Sequence, residues 1–236
     1  MPKIRAVLFD LDDTLYDHRY SSRKGLQSLK NKYDCFKDTE LDVLELEYLT
    51  VLNEIHLSKV LTGLSTIEEA RIERYKIFFS KFDVNADLEF ISLARKVYSG
   101  SYKTNQRAVP GAAELLEALK SKVKIGIVSN NLLKEQLSKI NNIGIASYLD
   151  EIVVSEEAGF IKPSPEIFQI VLNKLGCKAE ESVMIGDSWE TDIMGAKNAG
   201  IRAIWFNRYG NKNPDSSPVV EIKSLIPTEY ILKLIF

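Results

Sequence analysis

The chain has 236 residues, 45% of them hydrophobic, and 31 lysines and arginines nearly balance 33 aspartates and glutamates, for a formal net charge of −2. This composition suits one large domain or two small ones, and without a basic excess we expect neither a nucleic-acid partner nor a membrane partner. The two cysteines match no metal or disulfide pattern, and no apolar run approaches the ~18 residues of a membrane span. Because the first residues also lack the features of a signal peptide, we expect a soluble, cytoplasmic protein.

Short apolar runs alternate with helical patterns along most of the chain. Buried strands are expected at 4–9, 124–129, 151–155, 182–186 and 202–206. Helices are expected at 111–121, 132–142, 164–176 and 188–200. The last two end at Gly176 and Gly200, and glycine is the usual left-handed residue after a helix. This alternation predicts an α/β fold with a doubly wound parallel sheet.

The alternation is interrupted between the first strand and the second. From Asp17 to Arg107 no strand-like run occurs, and large side chains recur with the helical period: Leu41, Leu44, Tyr48, Leu52 and Ile55; Ile67, Tyr75, Phe78 and Phe82; Leu88, Ile91, Arg95 (by its stem) and Tyr98. About ninety residues are too many for a simple crossover. We therefore expect an inserted α-helical domain at 17–106, within a core formed by 1–16 and 107–236.

Acidic residues crowd the end of the first strand, where Asp10, Asp12 and Asp13 lie within four positions. Packed carboxylates repel one another and lose hydration, so a cation or a proton is needed to relieve them. Ligands of parallel α/β sheets bind beyond the carboxyl ends of the strands. The polar residues at or after the other strand ends are Ser129, Asn130, Lys162, Asp187 and, in the following helix, Asp192.

Four segments at these strand ends together resemble the motifs of one family, the haloacid dehalogenase-like (HAD) phosphohydrolases. They are "DLDDT" (10–14), "SN" (129–130), "KPSPEIF" (162–168) and "GDSWETD" (186–192), in the order of the family. The resemblance covers most of the chain and implies a Rossmann-like core. The insertion resembles the helical C1 cap of subfamily I, so we expect residues 17–106 to be a cap.

The residues and the resemblance together suggest which residues bind a metal ion and which take part in the reaction. Hydrolysis of a phosphate monoester needs its negative charge neutralised, and Mg²⁺ with oxygen ligands suits that task. Asp10 and Asp187 are the expected carboxylate ligands, and the resemblance adds the backbone carbonyl of Asp12. Asp10 is the expected nucleophile that forms an aspartyl-phosphate, and Asp12 the general acid and base.

Other residues are expected to bind the phosphoryl oxygens or to support the site. Ser129, the backbone amide near Asn130 and Lys162 are the expected phosphate ligands. The resemblance leaves two roles open for Asp192, which would support the metal site or orient Lys162. Thr14 is expected to support its loop, and Asp13 to form a turn.

The leading hypothesis is a Mg²⁺-dependent phosphatase of a small phosphorylated metabolite, in the phosphoglycolate, sugar phosphate or nucleoside monophosphate class. A phosphomutase of the β-phosphoglucomutase type shares every motif and stays open. A 2-haloacid dehalogenase has no need of an acid at position 12. A non-enzymatic, receiver-like phosphoacceptor module would lack both that acid and the helical insertion. The sequence leaves open the substrate, the oligomeric state, the cap residues that contact substrate and the role of His18, and it assigns none to His56.

Overall fold

The strands of the protein form one parallel sheet. The computed structural model describes residues 3–55, 58–59, 64–215 and 218–236, and within them the sheet has six strands. The strands are β1 (Ala6–Phe9), β2 (Lys124–Ser129), β3 (Glu151–Val154), β4 (Ser182–Gly186), β5 (Arg202–Phe206) and β6 (Val220–Ile222). Their order in space is β3-β2-β1-β4-β5-β6. The first strand therefore lies at the centre, and the strand order reverses direction there.

The helices have the following bounds: α1 (His18–Lys32), α2 (Leu41–Ile55), α3 (Ile67–Ser80), α4 (Leu88–Thr104), α5 (Ala112–Lys120), α6 (Leu133–Asn142), α7 (Ser155–Ala158), α8 (Pro165–Leu175), α9 (Gly195–Asn198) and α10 (Thr228–Ile235). A π-helical segment, Trp189–Met194, precedes α9, and short 3₁₀ turns span Asp34–Phe36, Ala146–Tyr148 and Ala179–Glu181. Among the helices of the described residues, none has the length and apolar composition needed to cross a bilayer.

The chain is divided into two compact units. One contains residues 1–17 and 107–236, with the whole sheet, and the other contains residues 18–106, with α1 to α4. The expectation that the helical unit serves as a cap stays a prediction. The predicted parallel α/β fold is confirmed by the sheet, whose five pairings are all parallel.

The core of the sheet unit follows from the alternation of side chains along the strands. Ala6 and Leu8 of β1 point to one face, where they pack with residues of the neighbouring strands and with the apolar stripe of α8, formed by Ile167, Phe168, Val171, Leu172 and Leu175. These residues are buried. The stripe has the i, i+1, i+4, i+5 spacing of a helix that rests one side on a sheet.

The helical unit has an aromatic core of its own. Its buried residues include Phe36, Tyr48, Tyr75, Phe78, Phe79 and Tyr98. The Tyr48 and Phe78 rings meet edge to face at 5.4 Å, a favourable geometry for aromatic pairs. Tyr75, Phe78 and Phe82, which recur with the helical period in the sequence, therefore pack within this unit.

The predicted elements differ from the structure at several places. The bounds of β2, β4 and β5 match the prediction, whereas β6, α1 and α10 were not predicted. Leu88, predicted on the buried stripe of α4, is 63% exposed because it begins the helix. The predicted helix at 188–200 divides into the π-helical segment and α9. His56 lies outside the described residues.

Candidate active site

The carboxyl ends of the three central strands bring the predicted site residues to one edge of the sheet. Phe9 of β1 pairs with Ile127 of β2 and with Ile185 of β4. The next residue, Asp10, donates its backbone N–H to the carbonyl of Ile185 over 3.0 Å. Ser129 and Asp187 each follow their paired isoleucine by two positions, so parallel pairing places them beside Asp10.

Lys162 is a buried cation between two of the predicted aspartates. Its Nζ donates to Asp10 Oδ1 and to Asp192 Oδ1, each over 2.6 Å. The lysine side chain is 2% exposed, and those of Asp10 and Asp192 are 10% and 1% exposed. Charges this deeply buried need partners, because desolvation makes an unpaired one costly. The structure thus joins "DLDDT", "KPSPEIF" and "GDSWETD" through one ammonium group.

The side chain of Asn130 fixes the backbone at Lys162. Its Nδ2 donates to the Lys162 carbonyl over 2.8 Å, and its Oδ1 accepts the Lys162 N–H over 2.7 Å. Two reciprocal hydrogen bonds hold the backbone in one register, so Asn130 ties the end of β2 to the loop that carries the lysine. This role for the Asn130 side chain was not predicted.

The π-helical segment after β4 places Asp192. Ser188 begins it, accepting the Thr191 N–H at its side-chain oxygen and donating its own N–H to Asp192 Oδ2 over 3.0 Å. Asp192 also packs directly on Gly186, where a Cβ atom would lie 2.5 Å from the Asp192 Cβ. Only glycine at position 186 leaves room for the aspartate. Wide π-helical turns are rare and often occur at functional sites.

Three aspartates form a group that could hold a metal ion. One carboxylate oxygen from each of Asp10, Asp187 and Asp192 lies within 4.8 Å of the others. Thr14 supports this group by donating its hydroxyl to Asp187 Oδ1 over 3.3 Å. The three carboxylates outnumber the single ammonium of Lys162. A hard divalent cation such as Mg²⁺, which prefers carboxylate oxygens, fits both the donor set and the excess of negative charge.

Burial, together with the excess of negative charge, shifts the pKa values of the group. The pKa of Asp10 is raised to about 7, mainly because the group is buried; the Lys162 charge opposes this rise, and the charges of Asp192 and Asp12 add to it. Burial raises the pKa of Asp187 well above its usual range, and the charges of Asp10, Asp192 and Asp13 add to this. Burial alone would lower the pKa of Lys162, but the Asp10 and Asp192 charges outweigh it and raise the pKa. A bound cation would favour the ionised carboxylates.

The carboxylate of Asp12 points to different partners, which lie on α6. Lys139 Nζ donates to Asp12 Oδ1 and Oδ2 over 2.6 and 2.8 Å, and Gln136 Nε2 donates to Oδ2 over 3.0 Å. Gln136 Nε2 also donates to Ser129 Oγ over 2.5 Å. Neither Gln136 nor Lys139 was predicted. Their i, i+3 spacing, on the helix that directly follows Ser129, is the signal that could have found them.

Two further residues that the sequence singled out have local roles. Asp13 has φ 60° and donates its N–H to the Tyr16 carbonyl over 2.7 Å, so it forms the predicted turn. His18 belongs to the helical unit, where its Nδ1 lies 2.8 Å from the Tyr102 hydroxyl.

The fold and the site are those of a known class of hydrolases. Residues 7–206 match the family of haloacid dehalogenase-like hydrolases, and the chain belongs to that family. Its curated relatives include the glyceraldehyde 3-phosphate phosphatase of Methanothermobacter thermautotrophicus, 33% identical over 86% of each chain. The human N-acylneuraminate-9-phosphatase is 30% identical over 93% of this chain and 89% of its own length.

A solved structure supports the same assignment. The putative HAD-hydrolase YfnB from Bacillus subtilis, whose structure is described as bound to magnesium, superposes with a TM-score of 0.82. It is 25% identical and covers 99% of both chains. The comparison therefore extends over the sheet and the helical insertion alike.

Proposed function

We propose that the protein is a Mg²⁺-dependent phosphatase that hydrolyses a small phosphorylated metabolite of the phosphoglycolate, sugar phosphate or nucleoside monophosphate class. The observation that carries this proposal is the group formed by Asp10, Asp187 and Asp192, in which the buried ammonium of Lys162 bonds Asp10 and Asp192. Two relatives named as phosphatases of small phosphorylated compounds support it.

Asp10 is the proposed nucleophile. One of its carboxylate oxygens attacks phosphorus, the bond between phosphorus and the ester oxygen breaks, and an aspartyl-phosphate forms on Asp10. Water then attacks that phosphorus, and the carboxylate of Asp10 leaves. The 2.6 Å hydrogen bond from Lys162 to Asp10 Oδ1 anchors one oxygen of this carboxylate beside the ammonium that is proposed to bind the phosphoryl group.

Asp12 is the proposed proton carrier. It gives a proton to the departing ester oxygen and later takes one from the attacking water, so it returns to its starting state. At 26% exposed, its side chain is more accessible than that of Asp10, at 10%. That exposure suits a group that must meet both a leaving group and water.

Asp10 and Asp187, with the Asp12 carbonyl, are the proposed ligands of Mg²⁺. When bound, the metal would neutralise the acidic group and the substrate phosphate. Asp192 then has a distinct role, since both of its oxygens accept hydrogen bonds, one from Lys162 and one from the Ser188 N–H. We assign it to holding Lys162.

Ser129, Lys162 and the backbone amide near Asn130 are the proposed ligands of the phosphoryl oxygens. Because Ser129 Oγ accepts from Gln136, its own hydrogen can be donated to a phosphoryl oxygen. An ammonium has three N–H donors, and Lys162 directs two at Asp10 and Asp192, which leaves the third for phosphate.

A screen for phosphate release tests the proposal. The protein is incubated with phosphorylated metabolites and with 4-nitrophenyl phosphate, and free phosphate is measured with Mg²⁺ and with EDTA. We expect phosphate release that EDTA abolishes and Mg²⁺ restores. Asp10→Asn should release no phosphate, although circular dichroism should show that its fold is intact. Activity retained by Asp10→Asn would refute the nucleophile. Formation of an isomerised sugar phosphate without free phosphate would identify a mutase. Release of halide from a haloacid would identify a dehalogenase.

A further inference from the structure

We propose that Lys139 and Gln136 are positioning residues that hold the Asp12 carboxylate in the orientation needed for proton transfer. This inference rests on the proposed phosphatase function and extends it to two residues outside the four motifs. Both lie on α6, three positions apart, and both side chains are buried. They therefore present one face of the helix to the loop that follows β1.

The hydrogen bonds to Asp12 restrain its side chain at both oxygens. Lys139 reaches both of them, over 2.6 and 2.8 Å, and Gln136 reaches Oδ2 over 3.0 Å. A carboxylate held by a single donor can turn about its Cβ–Cγ bond. Donors on both oxygens oppose that rotation, and general acid–base catalysis depends on reach and alignment to about 3 Å.

The surroundings of Lys139 indicate that its ammonium is directed at Asp12. The side chain is 7% exposed, and Nζ also lies 5.3 Å from the centre of the buried Tyr16 ring. The face of a tyrosine ring attracts a cation but offers no full negative charge, so Asp12 supplies the charge that balances the buried lysine. A lysine that served only solubility would extend into water, as the exposed Lys134 of the same helix does.

Gln136 extends this arrangement to the proposed phosphate ligand. Its Nε2 contacts Asp12 Oδ2 and Ser129 Oγ, while its own Oε1 has no hydrogen-bond partner among the described residues. One amide group thereby sets the spacing between the proton carrier and the hydroxyl expected at the phosphate. Placing these groups relative to each other is what brings Asp12 near the ester oxygen.

Leaving groups of different quality provide the test. Phenyl phosphate releases a phenol with a pKa near that of tyrosine, about 10, and needs a proton from Asp12, whereas 4-nitrophenyl phosphate releases a stable anion. Because kcat/KM reports on the steps up to departure of the leaving group, it isolates the acid step. We expect Lys139→Met to lower kcat/KM at least tenfold more for phenyl phosphate than for 4-nitrophenyl phosphate. The loss for phenyl phosphate should not exceed the ~10²–10⁴-fold that general acid–base catalysis typically contributes. Asp12→Asn should show the same pattern.

A double-variant comparison separates positioning from a general structural effect. In the Asp12→Asn background, adding Lys139→Met should change kcat/KM for phenyl phosphate less than twofold, because the group that Lys139 positions is gone. Gln136→Leu provides a second variant with Lys139 intact and should shift the leaving-group dependence in the same direction. Lys134→Met, on the exposed side of α6, is the matched control and should behave as wild type with both substrates.

The outcomes distinguish this inference from the function on which it rests. Equal losses for both substrates in Lys139→Met and Gln136→Leu, unchanged rates, or full additivity with Asp12→Asn would overturn the positioning role and leave the phosphatase proposal standing. A wild-type protein that releases no phosphate from any phosphate ester with Mg²⁺ would overturn both.

Discussion

Lys162 donates a hydrogen bond of 2.6 Å to Asp10, a residue 152 positions earlier in the chain, and both groups are buried. Asp192 receives a second bond of the same length from the same ammonium. The two carboxylates would repel each other if they shared a dry site without a cation. The lysine therefore supports the fold at the site as well as the proposed chemistry.

Lys162→Met should impair both stability and activity. Removing one member of a buried ionic group leaves the others uncompensated, at a typical cost of about 3–5 kcal/mol. Loss of a donor to the transferring phosphoryl group lowers kcat by about 10²-fold or more. Thermal unfolding and phosphate release measure the two effects. Lys174→Met, a half-exposed lysine on α8, is the control and should change neither. Wild-type stability in Lys162→Met would contradict the role of the ammonium.

Asp187→Asn should largely abolish the stabilisation of the protein by Mg²⁺. Without metal, the change removes one of three crowded carboxylates whose ionisation burial opposes, so the variant should melt no lower than wild type. With Mg²⁺ at a hundred times its Kd, wild type should gain about 2.7 kcal/mol, which the variant should largely lose. Thermal unfolding with EDTA and with Mg²⁺ measures both. Glu114→Gln, which removes the same charge at an exposed position, is the control and should respond to Mg²⁺ as wild type does. A response of Asp187→Asn equal to that of wild type would refute the ligand assignment.

Gly186→Ala should displace Asp192. The added methyl would lie 2.5 Å from the Asp192 Cβ, and that side chain is held by Lys162 and Ser188. Overpacking of this kind costs about 1–3 kcal/mol, and the shift should also lower activity. Gly100→Ala is the matched control, since its methyl would meet nothing within 4 Å and alanine favours the α4 helix. If Gly186→Ala and Gly100→Ala had the same melting temperature, that result would argue against the close packing at Gly186.

Asp17→Asn should alter the pH dependence of stability. Burial tends to raise the pKa of Asp17, but hydrogen bonds and charges from Arg208 and Arg107 outweigh it and lower the pKa below its usual value. A carboxylate with a lowered pKa in the folded state stabilises the protein above its unfolded pKa of about 4 and loses that contribution as the pH falls through the folded value.

The difference in melting temperature between wild type and Asp17→Asn should therefore be largest near pH 7 and shrink below about pH 4. At neutral pH we expect a loss of about 1–3 kcal/mol, since Arg107 and Arg208 lose a charged acceptor at 2.9 and 3.3 Å. Asp38→Asn, an exposed change in the helical unit, should stay within about 0.5 kcal/mol of wild type at pH 7. A constant difference at every pH would refute the pKa argument.

The strands were the most predictable part of the fold. Strands buried on both faces are continuous apolar runs, so the bounds of β2, β4 and β5 were visible in the sequence. The three-residue β6 pairs only with β5 at the edge of the sheet, and its "VEI" is too short to be distinctive. Helix α1 was missed because it buries Ser21, Ser22 and Gly25, small residues that leave no apolar stripe over half its length.

The site was predictable where it depends on strand ends and not where it depends on side-chain direction. Asp10, Lys162, Asp187 and Asp192 were singled out, and they lie together. Lys139 was overlooked because a lysine within a helix is usually solvated, and only the fold brings it to Asp12. The π-helical turn at 189–194 was not predicted either, since the pattern at 188–200 indicates only a helix.

The central place of β1 has a consequence for how the protein is made. The strand precedes β2 to β6 along the chain, but its partner β4 spans Ser182–Gly186, and the core unit is completed only by residues after 106. Lys162 and β4 follow Asp10 by 152 positions or more, so the contacts that bury Asp10 can form only after both have been synthesised. A chain that stalls before β4 has the first motif but lacks Asp187 and Asp192. Catalytic competence would then report that translation has passed the last of the four motifs.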